Sequence, residues 1–157
     1  MTTAIKIRPV RSGDWAQFEN LIAGICRYHG DTHGLTRVQF DKMAVGMNAP
    51  VTTLVAETTD GTLAGFVAGF AVFHFHQGER CFEIQNLYVA ENFRRQRIGE
   101  VLMLNIIDTA KHKHGAAKFK IGALNWNETA VQFYKQLGFN ENTHSKDTIR
   151  LTKEVAL

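Results

Sequence analysis

The sequence predicts an α/β (α+β) fold, a mixed and mostly antiparallel central sheet flanked by helices. Three observations predict it. The turn signals Asp60-Gly61 and Gln77-Gly78 separate alternating or apolar runs, which makes neighbouring antiparallel strands. Runs of helical period lie before and after that meander. Between them, NLYVAENFRRQRIGEVLMLNII (Asn86 to Ile107) passes from strand to basic turn to helix.

The elements follow in order. Ile5-Lys6-Ile7-Arg8 alternates and stops at Pro9, as a short edge strand does. Ser12-Gly13-Asp14 starts a helix whose packing positions are Trp15, Phe18, Ile22 and Ile25. Gly30 and Gly34 break it, leaving His29 to Gly34 as a loop. Thr36 and Gln39 form a capping box for a second helix through Met43. Strands are expected at Val51 to Glu57, Leu63 to about Phe75, and Cys81 to Val89. Val101, Leu102, Leu104, Ile106 and Ile107 mark a helix ending near His114-Gly115. A strand at Lys118 to Leu124, a helix capped by Asn127 with Gly138 past its end, and a strand at Asp147 to Lys153 complete the chain. The order is β-α-α-β-β-β-α-β-α-β, read as one domain over residues 1–157.

Bulk properties narrow the function. A 157-residue chain is long enough for a real core. Its net charge of +3 is too mild to argue for nucleic acid, and no apolar run approaches a membrane span. The N-terminus MTTAIKIRPV lacks the apolar stretch of a secretory signal, so a cytoplasmic location is expected. Cys26 and Cys81 fit no metal spacing and read as reduced thiols. His74 and His76 alternate on one strand, but no third ligand sits at a helpful spacing, so no metal is expected.

The basic turn raises the question of an anion. A helix N-terminus offers free backbone N–H groups and partial positive charge, where phosphates bind readily. Arg94, Arg95 and Arg97 would add charge-assisted bonds. By themselves these residues read equally well as a solvated basic turn, and neither a P-loop nor a triple-glycine dinucleotide motif is present. The wider pattern is more specific. Arg94-x-x-Arg97-x-Gly99 resembles the Arg/Gln-x-x-Gly-x-Gly/Ala signature of the GNAT family of N-acetyltransferases. Asn86-Leu87-Tyr88-Val89 is similar to that family's strand into the loop. Asn125-Trp126-Asn127-Glu128 and Phe133-Tyr134-Lys135-Gln136-Leu137-Gly138-Phe139 are similar to its second cofactor segment. Ile7-Arg8-Pro9 and Leu63-Ala64-Gly65-Phe66 match its opening strand and central hairpin. The resemblance covers nearly the whole chain and is nearest the diamine (spermidine/spermine and thialysine) branch.

The resemblance implies the GNAT fold and acetyl-CoA as cosubstrate. Leu87, Tyr88 and Val89 would run beside the pantetheine arm, with Leu87 and Val89 offering backbone groups. Arg94, Arg95, Gln96, Arg97, Ile98, Gly99 and Glu100 would form the pyrophosphate cradle. Asn127 would contact the pantetheine arm, and Ala130 and Phe133 would line it. Tyr134 would protonate the leaving thiolate; its plain alternative is a core aromatic. Arg97 departs from the family's loop glycine, where backbone comes close to phosphate. The implied reaction is direct attack by an amine in a ternary complex.

The attacking nitrogen must be neutral, so a proton acceptor is needed. The diamine branch carries a strand carboxylate where this chain has Gln85, followed by Asn86. Glutamine cannot be a base. Glu83, two residues earlier and on the same face of a regular strand, is the best single carboxylate; otherwise it is a surface or ion-paired acid. His74 and His76 are weaker relay candidates. The acceptor side is expected to include Tyr28 and Asp31 of the loop after the first helix, with Gln85 and Asn86. So few acids disfavour a highly cationic polyamine and favour a smaller amine, an amino-acid-like compound or an amino sugar. Expected partners are thus a small-molecule amine and, by family habit, a second copy in a homodimer, with no nucleic acid and no membrane. The rival reading is a catalytically silent acyl-CoA-binding or regulatory protein of this fold.

Overall fold

The computed structural model describes residues 3–124, 126–141 and 151–156. They fall into two compact units, Met1–Gly122 and Ala123–Leu157.

The first unit holds a five-stranded sheet in the order β1-β2-β3-β4-β5. The strands are β1 (Ile5–Pro9), β2 (Thr52–Thr58), β3 (Leu63–His74), β4 (Glu79–Val89) and β5 (Lys118–Ile121). All neighbours are antiparallel except β4 and β5, which run parallel. Both turn signals close hairpins, with Gly61 at φ 84° and Gly78 at φ 63°.

The helices of this unit are α1 (Trp15–His29), α2 (Arg37–Ala44) and α3 (Ile98–His114). Phe18 and Leu21 of α1 and Phe40 of α2 join Val55, Phe66 and Ala68 in one core. The Phe18 ring lies 4.7 Å from Phe66 and 4.9 Å from Phe40, centroid to centroid. On α3, Leu102, Met103 and Ile106 are fully buried, and the helix packs on β2, β3 and β4. Each such side chain contributes roughly 1.5–3 kcal/mol by leaving water. The capping box of α2 forms: Thr36 Oγ1 accepts from the Gln39 amide at 3.3 Å, and Gln39 Oε1 accepts from the Thr36 amide at 2.9 Å.

Two elements differ from expectation. Ser12–Asp14 is a 3₁₀ turn rather than the first turn of α1. Asp14 is committed elsewhere: its carboxylate takes two bonds from the buried Arg8 guanidinium at 2.7 and 2.9 Å and one from the Arg11 amide at 2.8 Å. Arg8 also binds Glu57 of β2 through Nε at 2.8 Å and Nη2 at 3.0 Å. Second, β5 stops at Ile121 instead of Leu124.

The second unit contains α4 (Glu128–Gln136). Asn127 caps it, its Oδ1 accepting from the Ala130 amide at 3.1 Å, and Gly138 follows at φ 91°. Most of the strand expected at Asp147 to Lys153 lies outside the described residues, and no strand occurs among 151–156.

Candidate active site

The site is organised by an irregularity in β4. Ala68 pairs with Asn86, but the next residue, Gly69, pairs with Ile84, leaving Gln85 as an extra residue bulged out of register. The bulge changes which side chains share a face. Phe66, Ala68 and Phe70 alternate regularly on β3, and their partners are Tyr88, Asn86 and Glu83. Glu83 therefore shares its face with Asn86 and Tyr88, not with Gln85. The regular-strand assumption behind the sequence reading fails at this point. Tyr88 fixes the face, since its hydroxyl lies where a side chain on Gly24 of α1 would stand.

The parallel register of β4 with β5 covers only Cys81↔Lys118 to Ile84↔Ile121. Past Ile84 the strands no longer pair. Asn86 to Val89 keep their pairing with β3 and have no β5 partner on the other side. The pairing ends at the bulge.

Val89 leads through the 3₁₀ turn Glu91–Phe93 into the basic loop. The three arginines have different occupations. Arg94 Nε donates to the Val89 carbonyl at 3.0 Å, and its guanidinium lies 5.7 Å from the Tyr88 ring centre, so it braces the end of the strand. Arg97 forms a two-bond pair with Glu100 at 2.8 and 2.9 Å. That pair holds the Glu100 carboxyl below its usual range. Arg95 is exposed and has no hydrogen bond or ion pair among the described residues. Gln96 Oε1 accepts from the Thr3 amide at 3.1 Å. Both Arg95 (φ 59°) and Arg97 (φ 63°) are left-handed, a conformation that L side chains other than Asn and Asp rarely take. Such strain persists where surrounding structure imposes it, and it clusters at ligand clamps. Arg97 is the N-cap of α3, so the amides of Ile98, Gly99 and Glu100 open the helix without intrahelical acceptors. The Ile98 side chain itself is core, 2% exposed.

Glu83, the expected base, is half-buried and makes no ion pair among the described residues. Asp31 is a local brace: its amide donates to the Cys26 carbonyl at 3.0 Å. Burial, then the hydrogen bond to Asp31, push the Cys26 thiol up. Tyr28 is about half exposed, its ring 6.0 Å from His29. His74 ends β3 with Nε2 3.3 Å from Lys120 Nζ, whereas His76 lies in the turn beyond the strand and shares no face with it. His114 is occupied by Thr52 at 3.2 Å and by stacking on Phe82. Among the described residues no three His, Cys, Asp or Glu side chains gather as a metal site.

In the second unit, Ala130, Phe133 and Tyr134 lie on α4. Phe133 and Tyr134 meet edge to face at 5.4 Å, and Phe139 lies 6.2 Å from Tyr134. Burial pushes the Tyr134 phenol up, which keeps its proton in place at neutral pH.

Sequence reasoning missed the bulge and Lys120. A signal for the bulge existed. A Cβ on Gly69 would stand 2.4 Å from the Glu83 carbonyl oxygen, so the strand tolerates only glycine there. Glycine inside a strand pattern marks a bulge or a close approach.

Comparison with known proteins identifies the family. A model of the acetyltransferase (GNAT) family matches residues 15–139. The thialysine N-epsilon-acetyltransferase of Mus musculus is 26% identical over 152 residues, covering 90% of this chain and 87% of that protein. The streptothricin acetyltransferase of Streptomyces lavendulae is 33% identical over 96 residues, covering 61% of this chain and 48% of that protein. In structure, a ribosomal-protein-alanine N-acetyltransferase from Brucella melitensis superposes with a TM-score of 0.74 at 21% identity, covering 94% of this chain and 99% of the other. That likeness shows the fold. With a family match spanning most of the sequence, the chain belongs to the acetyltransferase (GNAT) family.

Proposed function

We propose that the chain is an acetyl-CoA-dependent N-acetyltransferase acting on a primary amine of a small molecule, with residues 1–157 working as one domain. One observation carries this reading. A single strand holds a candidate base, bulges, leaves its parallel neighbour, and leads through a short 3₁₀ turn into a left-handed loop at a helix N-terminus.

The residues suit acetyl-CoA. The unpaired backbone edge at Leu87 to Val89 suits the amide-bearing pantetheine arm, as an added strand would pair. The amides from Arg95 to Glu100, with Arg95 as the uncommitted cation, suit a pyrophosphate. Arg97 gives its amide while its side chain stays with Glu100. When bound, acetyl-CoA supplies an activated thioester carbonyl and a thiol leaving group.

The chain's own residues do the proton work. Glu83 takes the ammonium proton of the acceptor through water, freeing the nitrogen lone pair for direct attack in a ternary complex. Asn86, on the same face, and Gln85, on the bulge, offer neutral hydrogen bonds to the acceptor where an acidic pair would attract a polycation. Tyr28 and Asp31 border the acceptor. Tyr134 returns a proton to the thiolate, and Asn127, Ala130 and Phe133 line the arm; these four assignments rest on the family pattern in that segment. A homodimer in the cytoplasm rests on family habit alone.

Gln85 and Asn86 favour one other reading, a silent acyl-CoA-binding protein. Thiol release from acetyl-CoA, followed across amino acids, polyamines and amino sugars with the acetylated product weighed, separates the two. Amine-dependent release supports the enzyme. Acetyl-CoA binding with no release on any amine overturns it in favour of the silent binder.

A further inference from the structure

We infer that Lys120, held by His74 beside Glu83, is a carboxylate-binding residue, so that the acceptor is an amine that also carries a carboxylate. The inference rests on the acetyltransferase reading and refines its substrate class.

The two charges are side by side. Glu83 and Lys120 are register partners across the parallel β4–β5 pair, so they project from the same face. They sit one step before the strands part at Ile84 and Ile121. Parallel neighbours lie about 4.8 Å apart and successive residues about 3.3 Å. The acceptor nitrogen served by Glu83 would thus lie within a few bonds of anything Lys120 holds.

Lys120 is not used up by the fold. The neighbouring Lys118, at the start of the same strand, is closed by Glu79 at 2.6 Å. Lys120 has no carboxylate within ion-pair distance among the described residues. Its one hydrogen-bond partner among the described residues is His74 Nε2 at 3.3 Å. An ammonium group has three donors and no acceptor, so His74 accepts one and two remain. Lys120 is nevertheless half-buried, where an unmatched cation is costly. A ligand carboxylate would complete it. A polyamine arriving there would meet a like charge instead.

Lysine and cadaverine, identical but for the α-carboxylate, test this directly. The expected result is a kcat/KM at least about tenfold higher for lysine, a size typical of one charge-assisted contact. Lys120→Met should erase that preference through the KM for lysine while leaving cadaverine turnover unchanged or improved. Lys120→Arg should keep it. Equal use of the two amines by the parent protein, or an equal loss on both in Lys120→Met with the melting temperature preserved, overturns the carboxylate role but leaves the acetyltransferase reading intact. No thiol release with any amine overturns both.

Discussion

Arg8 and Arg95 carry the same guanidinium and meet opposite fates. Arg8 is 6% exposed, and its donors are all directed at Asp14, Glu57 and the Pro9 carbonyl. Arg95 stands in solvent on a left-handed backbone with no partner among the described residues. The contrast repeats in Glu57 against Glu83 and in Lys118 against Lys120. In each pair one charge is closed by an opposite charge and ties strands or turns together. The other is open and lies along the bulge, the splay or the loop. Closed charges hold the fold, and open charges are available to ligands.

Breaking the most closed charge should have the largest effect. Arg8→Met leaves the Asp14 and Glu57 carboxylates uncompensated, and the loss of unfolding free energy should be about 3–5 kcal/mol in denaturant titration. The pH dependence has a definite sign. Burial alone would raise the Asp14 pKa, but the Arg8 and Arg11 bonds and charges outweigh it and hold it low; the bonds from Arg8 hold Glu57 low as well. Stability from depressed carboxylates is complete above their unfolded values near ~4 and is lost as pH falls through the folded ones. The parent protein should therefore lose stability below about pH 4, and Arg8→Met should show a flatter acid limb.

Removing an open charge should spare the fold. Arg95→Ala should weaken acetyl-CoA binding about tenfold in calorimetric titration, with a larger effect at low salt. Its melting temperature should match the parent. Arg97→Gly sharpens the contrast further. It relieves a left-handed backbone but surrenders an exposed pair, which contributes little. Its melting temperature should change less than that of Arg8→Met, and its acetyl-CoA affinity less than that of Arg95→Ala.

Local chemistry made most of the fold legible. The hairpins at Asp60-Gly61 and Gln77-Gly78, the Thr36–Gln39 capping box and the Asn127 cap are written within four residues each. The loop of the proposed cradle was legible as well, because its residues are contiguous. What escaped depends on distant partners. Arg8 reads as a strand residue until Glu57, 49 positions away, is placed beside it. Lys120 reads as a surface lysine until its register with Glu83 is known. The bulge at Gln85 is a mismatch between two strands, so β4 alone does not reveal it, and only Gly69 on the facing strand hints at it. That one extra residue moved Glu83 from the face of Gln85 to the face of Asn86.

The most direct test sets Glu83→Gln beside Glu57→Gln, the same chemical change at an open and a closed carboxylate, with thiol release and thermal unfolding measured on both. The account predicts that Glu83→Gln loses about a hundredfold in kcat while melting with the parent. It predicts that Glu57→Gln melts earlier and keeps its kcat below that transition. Full turnover in Glu83→Gln, or an early melt in that variant with none in Glu57→Gln, would contradict it.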